Sequence, residues 1–240
     1  MDSFSLGDMV DKIIVGFGDS FVFGSELQNN HDGKKAWAGQ IAKDLGCEYH
    51  TSAVPGCGND HIARQIYSWF SGHSAENTLA VINWTWMCRW DFYVVEHETW
   101  ITLGPTCVPD KLKDLVSKTE AQDMIDFYKH RANSSLLWNK IRNLQTIWAA
   151  QCYMREKGVC AIQTYMDYEM FDTTWHAPDY VKELQQLVLP ELQLFQGKNF
   201  VDWSHDHEYP VTTWGNHPLE EAHSSAALLW KEVYKNKLKI

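Results

Sequence analysis

Two residues near opposite ends of the sequence, Ser20 and His217, have the side chains that nucleophilic catalysis needs. Ser20 follows the apolar and small residues Gly16-Phe17-Gly18. A serine just past a buried strand presents its hydroxyl at the edge of a sheet, and the free N–H groups of a helical turn there would stabilise an oxyanion. His217 precedes Pro218, and proline favours the first turn of a helix. The pair could attack an ester carbonyl, although a simple helix cap at Ser20 and a surface loop at His217 remain open.

A glycine in the middle of the chain adds a third candidate. Gly56 lies in Pro55-Gly56-Cys57-Gly58, which follows a second predicted strand. Without a β-carbon, its backbone can approach a ligand closely and offer an N–H group. The alternative is an ordinary turn before a helix.

Strands and helices that would position these residues alternate along the chain. Apolar runs predict strands at 11–17, 48–54, 78–84, 159–165 and 199–203. Helical periodicity, caps and stops predict helices at 36–45, from 59 or 60 to about 70, at 135–157, 181–195 with a break near Pro190, and 219–238. This alternation predicts parallel βαβ units in an α/β fold, a three-layer α/β/α sandwich with a parallel sheet of about five strands. Ligands bind such sheets at the carboxyl ends of the strands, where Ser20 and Gly56 fall. We expect one domain over 1–240 with an elaboration at about 88–132 that includes a helix at 119–128.

Composition narrows the range of partners. The 240 residues include 21 Lys and Arg against 31 Asp and Glu, a net charge of −10. Phosphate backbones and anionic lipids repel such a protein, so we expect neither nucleic-acid nor membrane partners. No apolar stretch is long enough to span a bilayer, and residues 1–5 have no signal-peptide character, so a cytoplasmic location is expected. The six scattered cysteines should then be reduced.

The three motifs, in their order and placement, resemble those of the SGNH (GDSL) hydrolase family. Gly18-Asp19-Ser20-Phe21 is similar to the nucleophile block, Gly56 to the glycine of the second block, and His217 before Pro218 to the block that carries the base. The resemblance implies a flavodoxin-like topology, Ser20 as nucleophile and His217 as base. It also implies an oxyanion hole with the N–H groups of Ser20 and Gly56, and no metal or cofactor. The wording around Gly56 and His217 also looks like small members from bacterial viruses, which would place the protein in the host cytoplasm or the virion.

Two positions depart from the family pattern. The third block normally carries an asparagine after the third strand, and here Asn59, Asn83 or Thr85 could supply that oxyanion donor instead. The family acid usually stands three residues before the histidine, where this chain has Trp214. Asp202 or Asp206 could replace it, with Asp202 favoured because it lies at a predicted strand end, or the site could work as a Ser-His dyad.

Other constellations give weaker hypotheses. A metal site built from Asp202, His205, Asp206 and His207 lacks a completing Glu or Cys, so no metal is expected. His223 could replace His217 as the base, but it lies inside a predicted helix. Four tryptophans that follow the third strand could line a pocket or pack the elaboration: Trp84, Trp86, Trp90 and Trp100.

These features predict a serine esterase or acyl hydrolase that acts on a carboxylic ester through an acyl-enzyme on Ser20. The substrate would be a small-molecule or carbohydrate ester, for which an O-acetyl ester suits the tryptophans. Two alternatives remain, a non-catalytic binding or structural protein with the same fold, and an O-acyltransferase that uses the same residues.

Overall fold

A five-stranded parallel sheet runs through the centre of the protein in a computed structural model, which describes residues 12–238. The strands in chain order are β1 (Ile13–Phe17), β2 (Glu48–Thr51), β3 (Thr78–Trp84), β4 (Trp90–Val94), β5 (Thr99–Leu103), β6 (Cys160–Tyr165) and β7 (Leu192–Gln193). β4 and β5 form a separate antiparallel hairpin, and the other five form the sheet in the order β2-β1-β3-β6-β7. Residues 1–5 and Asp11, on which two of the sequence expectations rest, lie outside the described residues.

Helices cover both faces of this sheet. They are α1 (Ser20–Phe23), α2 (Trp37–Leu45), α3 (Asn59–Gly72), α4 (Lys118–His130), α5 (Leu136–Lys157), α6 (Asp179–Val188), α7 (Phe200–Asp206) and α8 (Glu220–Leu238). One core packs α2, α7 and α8 against the sheet, and a second packs α3, α5 and α6 against the other face. The predicted three-layer α/β fold and its flavodoxin-like strand order are therefore confirmed. Within residues 12–238, no helix has both the length and the apolar character that crossing a membrane requires.

The central strand shows why a continuous apolar run predicted the sheet. All seven residues of β3 are buried. Leu79 and Val81 face the core under α2 and α8, whereas Ala80 and Ile82 face the core under α3 and α5. A parallel strand covered on both faces is a nearly continuous apolar run, and within β3 only Thr78 and Asn83 are polar.

The predicted strand at 199–203 is wrong, because this segment forms α7. Asn199 caps the helix by accepting the N–H of Asp202 at 2.8 Å. Phe200 and Trp203 then lie three residues apart on the helix face that enters the core. The fifth strand is instead β7, two residues that follow the break at Pro190, and so short a strand leaves no periodic signal.

The elaboration between β3 and α5 has a small core of its own, formed by the β4–β5 hairpin and α4. Asp91 of β4 connects this elaboration to the start of α3. Its buried carboxylate accepts the backbone N–H groups of Gly58 (3.3 Å) and His61 (2.7 Å) at the start of α3, and also the hydroxyl of Thr102. The N–H groups of a first helical turn have no partner within the helix, so the hairpin supplies the anion that α3 requires.

Candidate active site

Ser20 lies at the carboxyl end of β1, as the first residue of the one-turn helix α1. Asp19 caps this turn, because its Oδ1 accepts the N–H of Phe21 at 3.0 Å. Gly18 makes the turn possible, since a β-carbon there would lie 2.6 Å from Cγ2 of Val22. Within residues 12–238 the N–H of Ser20 has no acceptor, so it is free beside its own hydroxyl.

His217 meets this serine from the loop that precedes α8. Its Nε2 lies 2.8 Å from Oγ of Ser20. The imidazole stacks on the ring of Phe21, with 4.8 Å between centroids. Two hydrogen bonds with Thr212 hold the backbone of His217. The Thr212 hydroxyl oxygen accepts the N–H of His217 at 3.0 Å, and the N–H of Thr212 donates to the carbonyl of His217 at 2.9 Å. The structure thus brings together the two residues that the sequence selected, in a geometry that permits proton transfer.

The other ring nitrogen of His217 has no comparable partner. Nδ1 is buried, and no described residue accepts or donates a hydrogen bond there. The backbone of Gly215 (φ +86°) lies against this side of the ring. Trp214, at the position where the family carries its acid, is 83% exposed and points to solvent.

Neither predicted acid reaches His217. Asp202 lies in the first turn of α7 rather than at a strand end, where its Oδ2 accepts from Nδ2 of Asn199 at 3.3 Å. Asp206 pairs with Lys198. The reason is that this segment is helical, so both carboxylates contact residues just before the helix or at its start, Asn199 and Lys198, and not His217. Within the described part of the chain, no three His, Cys, Asp or Glu side chains are grouped as a metal site would require.

The three candidate oxyanion donors are not available in the arrangement that the sequence suggested. Nδ2 of Asn59 donates to the Thr85 carbonyl (3.1 Å) and to Asn143, and its Oδ1 accepts the Thr85 N–H (2.7 Å). The hydroxyl of Thr85 donates to Asp19 at 2.6 Å. Asn83 accepts from Thr164 and leaves its own amide nitrogen unpartnered, but the side chain is 1% exposed. Asn59 and Thr85 therefore brace the end of β3, and Asn83 faces the interior.

Gly56 remains as a backbone donor. It has φ +80°, lies on the surface, and its N–H has no acceptor among residues 12–238. Its turn rests against the loop before Ser20, since Val54 N–H donates to the Gly18 carbonyl at 2.9 Å. The neighbouring Cys57 thiol contacts the same carbonyl, and burial raises its pKa, so it stays a protonated thiol.

Arg89 belongs to this site although sequence reasoning passed over it. Its Nη1 donates to Asp19 Oδ2 at 2.7 Å, to the Thr85 hydroxyl at 2.7 Å and to the Cys57 carbonyl at 3.1 Å. The ion pair ties the residue that caps Ser20 to the elaboration. A signal was present, because Arg89 comes five residues after the end of a buried strand, at the edge where ligands bind.

His223, the alternative base, has a structural task instead. Its Nδ1 accepts the N–H of Trp37, the first residue of α2, at 3.1 Å. The ring is 1% exposed, and burial lowers its pKa to about 3, against an opposing interaction with the Pro218 carbonyl. A neutral imidazole therefore joins α2 to the residue that follows His217. The sequence signal was its place on the apolar face of α8, beside Ala222 and Ala226.

The fold of this chain is similar to that of known structures. No protein-family model matches the chain, and no curated protein matches its sequence. Solved structures match in fold. One is the psychrotrophic esterase EstA from Pseudoalteromonas sp., with TM-score 0.51 and 11% identity over 95% of this chain and 100% of that one.

Two further structures are similar. An acetyl xylan esterase, Est2A, from the rumen bacterium Butyrivibrio proteoclasticus has TM-score 0.50 and 12% identity over 96% of this chain, which spans 65% of that protein. A member of the lipolytic protein G-D-S-L family from Veillonella parvula has TM-score 0.48 and 12% identity over 93% of this chain and 98% of that one. The chain has the α/β fold of the esterases EstA and Est2A.

Proposed function

We propose that this protein is an SGNH-type ester hydrolase with Ser20 as nucleophile and His217 as general base. The observation that carries the proposal is the 2.8 Å separation of Oγ and Nε2, between residues 197 positions apart in the chain. It lies at the carboxyl end of β1, the edge of the sheet where such folds bind ligands.

The chemistry follows from the two side chains. Oγ of Ser20 bonds to the ester carbonyl carbon while its proton passes to Nε2 of His217. The tetrahedral intermediate then expels the alcohol, which takes that proton and leaves an acyl-Ser20. A water molecule repeats the sequence, with His217 as base, and releases the acid.

Two backbone groups support the developing oxyanion, the free N–H groups of Ser20 and Gly56. Removing one oxyanion donor costs roughly 10²–10³ in kcat. Because none of Asn59, Asn83 and Thr85 offers a side-chain donor that is both unpartnered and exposed, we expect this enzyme to be slower than an esterase with three donors.

The tryptophans near the site favour a carbohydrate ester as substrate, since flat aromatic faces suit sugar rings. Trp86 and Trp100 both line the cleft that Gly56 borders. One structure with the same fold is an acetyl xylan esterase, which is consistent with this choice.

A second candidate is a non-catalytic binding protein, and the unpartnered Nδ1 of His217 favours it. The base form needs its proton on Nδ1 while Nε2 accepts from serine. A buried N–H without an acceptor costs about 1–3 kcal/mol, so this tautomer is disfavoured and the base weakened.

Labelling with a serine-directed fluorophosphonate separates the two candidates. The hydrolase should be labelled, Ser20→Ala should not, and His217→Ala should be labelled at least a hundredfold more slowly. Turnover of p-nitrophenyl acetate should follow the same order. Equal labelling of wild type and Ser20→Ala, or none in either, would reject the hydrolase and favour the binding protein.

A further inference from the structure

A cleft of about 570 Å³ separates the turn that carries Gly56 from the β4–β5 hairpin. That volume is within the range of small-molecule sites. The residues that matter most along it are Gly56, His61, Trp86, Arg89, Trp100 and Lys111. One end therefore lies at the proposed oxyanion donor, and the rest extends under the elaboration at 88–132.

The charge of this cleft differs from that of the whole protein. Among residues 12–238, no Asp or Glu lines it, whereas Arg89 and Lys111 do, in a chain of net charge −10. Asp91 lies beneath it, fully buried and 4.0 Å from Arg64. Burial lowers the pKa of His61, against the opposing charge of Asp91, so His61 is neutral at neutral pH.

Arg89 has hydrogen-bond capacity left over. Its Nη1 makes all three of its contacts, with Asp19, Thr85 and the Cys57 carbonyl. Nε and Nη2 make no hydrogen bond within residues 12–238, and neither is among the buried polar atoms that lack a partner. These two groups form the opposite edge of the guanidinium plane, the edge that binds a carboxylate with two parallel hydrogen bonds. The three contacts of Nη1 hold that plane in position.

The aromatic walls indicate what the carboxylate would be attached to. Arg64 stacks 3.5 Å from the ring centroid of Trp100, yet Trp100 remains 45% exposed. Trp86 lies across the same cleft. A flat apolar wall beside a fixed guanidinium suits a sugar ring with an acidic substituent.

We propose that this cleft recognises a carboxylate on the substrate, of the kind that a uronate sugar carries, and that Arg89 is the residue that binds it. This proposal rests on the proposed function for the identity of the cleft as a substrate site. It extends that function by assigning the substrate class, and it gives the elaboration the role of a specificity element.

The test measures binding of D-glucuronate and of D-glucose to the Ser20→Ala protein by calorimetry. The two sugars differ only in the carboxylate. Glucuronate should bind at least tenfold more tightly than glucose. A ratio near one would overturn the proposal, and this measurement requires no change at Arg89.

A second measurement assigns the binding residue. In the Ser20→Ala background, Arg89→Lys keeps a cation that can contact Asp19, Thr85 and the Cys57 carbonyl, but it removes the free Nε and Nη2 edge. It should bring the glucuronate-to-glucose ratio close to one. Arg155→Lys, an exposed change outside the cleft, should leave the ratio unchanged. An unchanged ratio in folded Arg89→Lys would reject Arg89 as the anchor.

Failure of the cleft and failure of the hydrolase are distinguishable. Fluorophosphonate labelling of Ser20 without a preference for glucuronate overturns only the substrate class. Arg89-dependent binding of glucuronate without labelling supports the carboxylate site and makes the protein a binding protein.

Discussion

Gly215 lies so close to His217 that a β-carbon on it would stand 2.8 Å from Nδ1. The glycine backbone thus covers the side of the imidazole where a serine hydrolase usually places its orienting carboxylate. On the Nδ1 side, the ring is held by this packing contact and not by a hydrogen bond. The arrangement to be tested is therefore a dyad of Ser20 and His217. For the same reason, a single substitution that introduces an acid at position 214 should not provide a partner for Nδ1.

Trp214→Asp should not raise turnover, although it introduces an acid at the position where SGNH hydrolases usually have one. The side chain at 214 is 83% exposed, and the backbone of Gly215 lies against the Nδ1 side of the His217 ring. On p-nitrophenyl acetate we expect kcat within about twofold of that of Trp214→Asn, the variant that loses the indole without gaining a charge. A tenfold or larger advantage of the aspartate would mean that the loop can bring position 214 to the histidine.

Asp202→Asn should leave activity nearly unchanged. The sequence favoured this residue as the acid, but its carboxylate contacts Asn199 in the first turn of α7 and does not reach His217. We expect kcat/KM within about twofold of wild type, with Asp206→Asn as the matched control on the same helix. A loss above tenfold at unchanged melting temperature would restore Asp202 as the acid.

Most of the fold was predictable, because its elements carry long periodic signals. The buried run of β3 and the 22 residues of α5, which end just before Gly158, each extend over enough positions to be recognised. The two elements that were not predicted, α7 and β7, are short. A strand was predicted at 199–203 because Phe200 and Val201 are apolar and α7 is only seven residues long. The strand β7 is only two residues long.

The site was predictable at its centre and not at its edges. Ser20, Gly56 and His217 stand in local contexts that one short window can show. Arg89 acquires its role only through Asp19 and Thr85, which the folded chain brings to it. The sequence could not distinguish Asn59 from an oxyanion donor. Its hydrogen bonds to Thr85 join residues 26 positions apart, and no local pattern shows them.

His223 should make the protein less stable in acid. Its pKa is about 3 in the folded protein, because the ring is buried, and near 6.5 when unfolded. Between these values the unfolded chain binds the extra proton, so the free energy of unfolding falls as pH decreases, by about 1.4 kcal/mol per pH unit from this group. Above pH 6.5 the effect is absent.

His223→Asn isolates this contribution, since its amide oxygen can still accept the N–H of Trp37. Urea unfolding between pH 4 and pH 6 should show a slope against pH that is shallower by about 1.4 kcal/mol per unit in the variant, wherever both proteins fold. Exposed His31→Asn should keep the wild-type slope. Identical slopes for His223→Asn and wild type would contradict a buried neutral imidazole.

Asp91→Asn should loosen the elaboration that forms one wall of the cleft. The buried carboxylate accepts the N–H groups of Gly58 and His61 on its two oxygens, and the amide of asparagine replaces one of these oxygens with an NH2 donor that faces an N–H donor. Loss of charged hydrogen bonds at a buried site costs about 1.5–3 kcal/mol each. We therefore expect the free energy of unfolding in urea to drop by at least about 2 kcal/mol, and proteases to cleave faster within 88–132. Asp110→Asn removes an exposed charge from the same segment and should change stability by less than about 0.5 kcal/mol. Equal stability of the two variants would show that the hairpin is held by its apolar core alone.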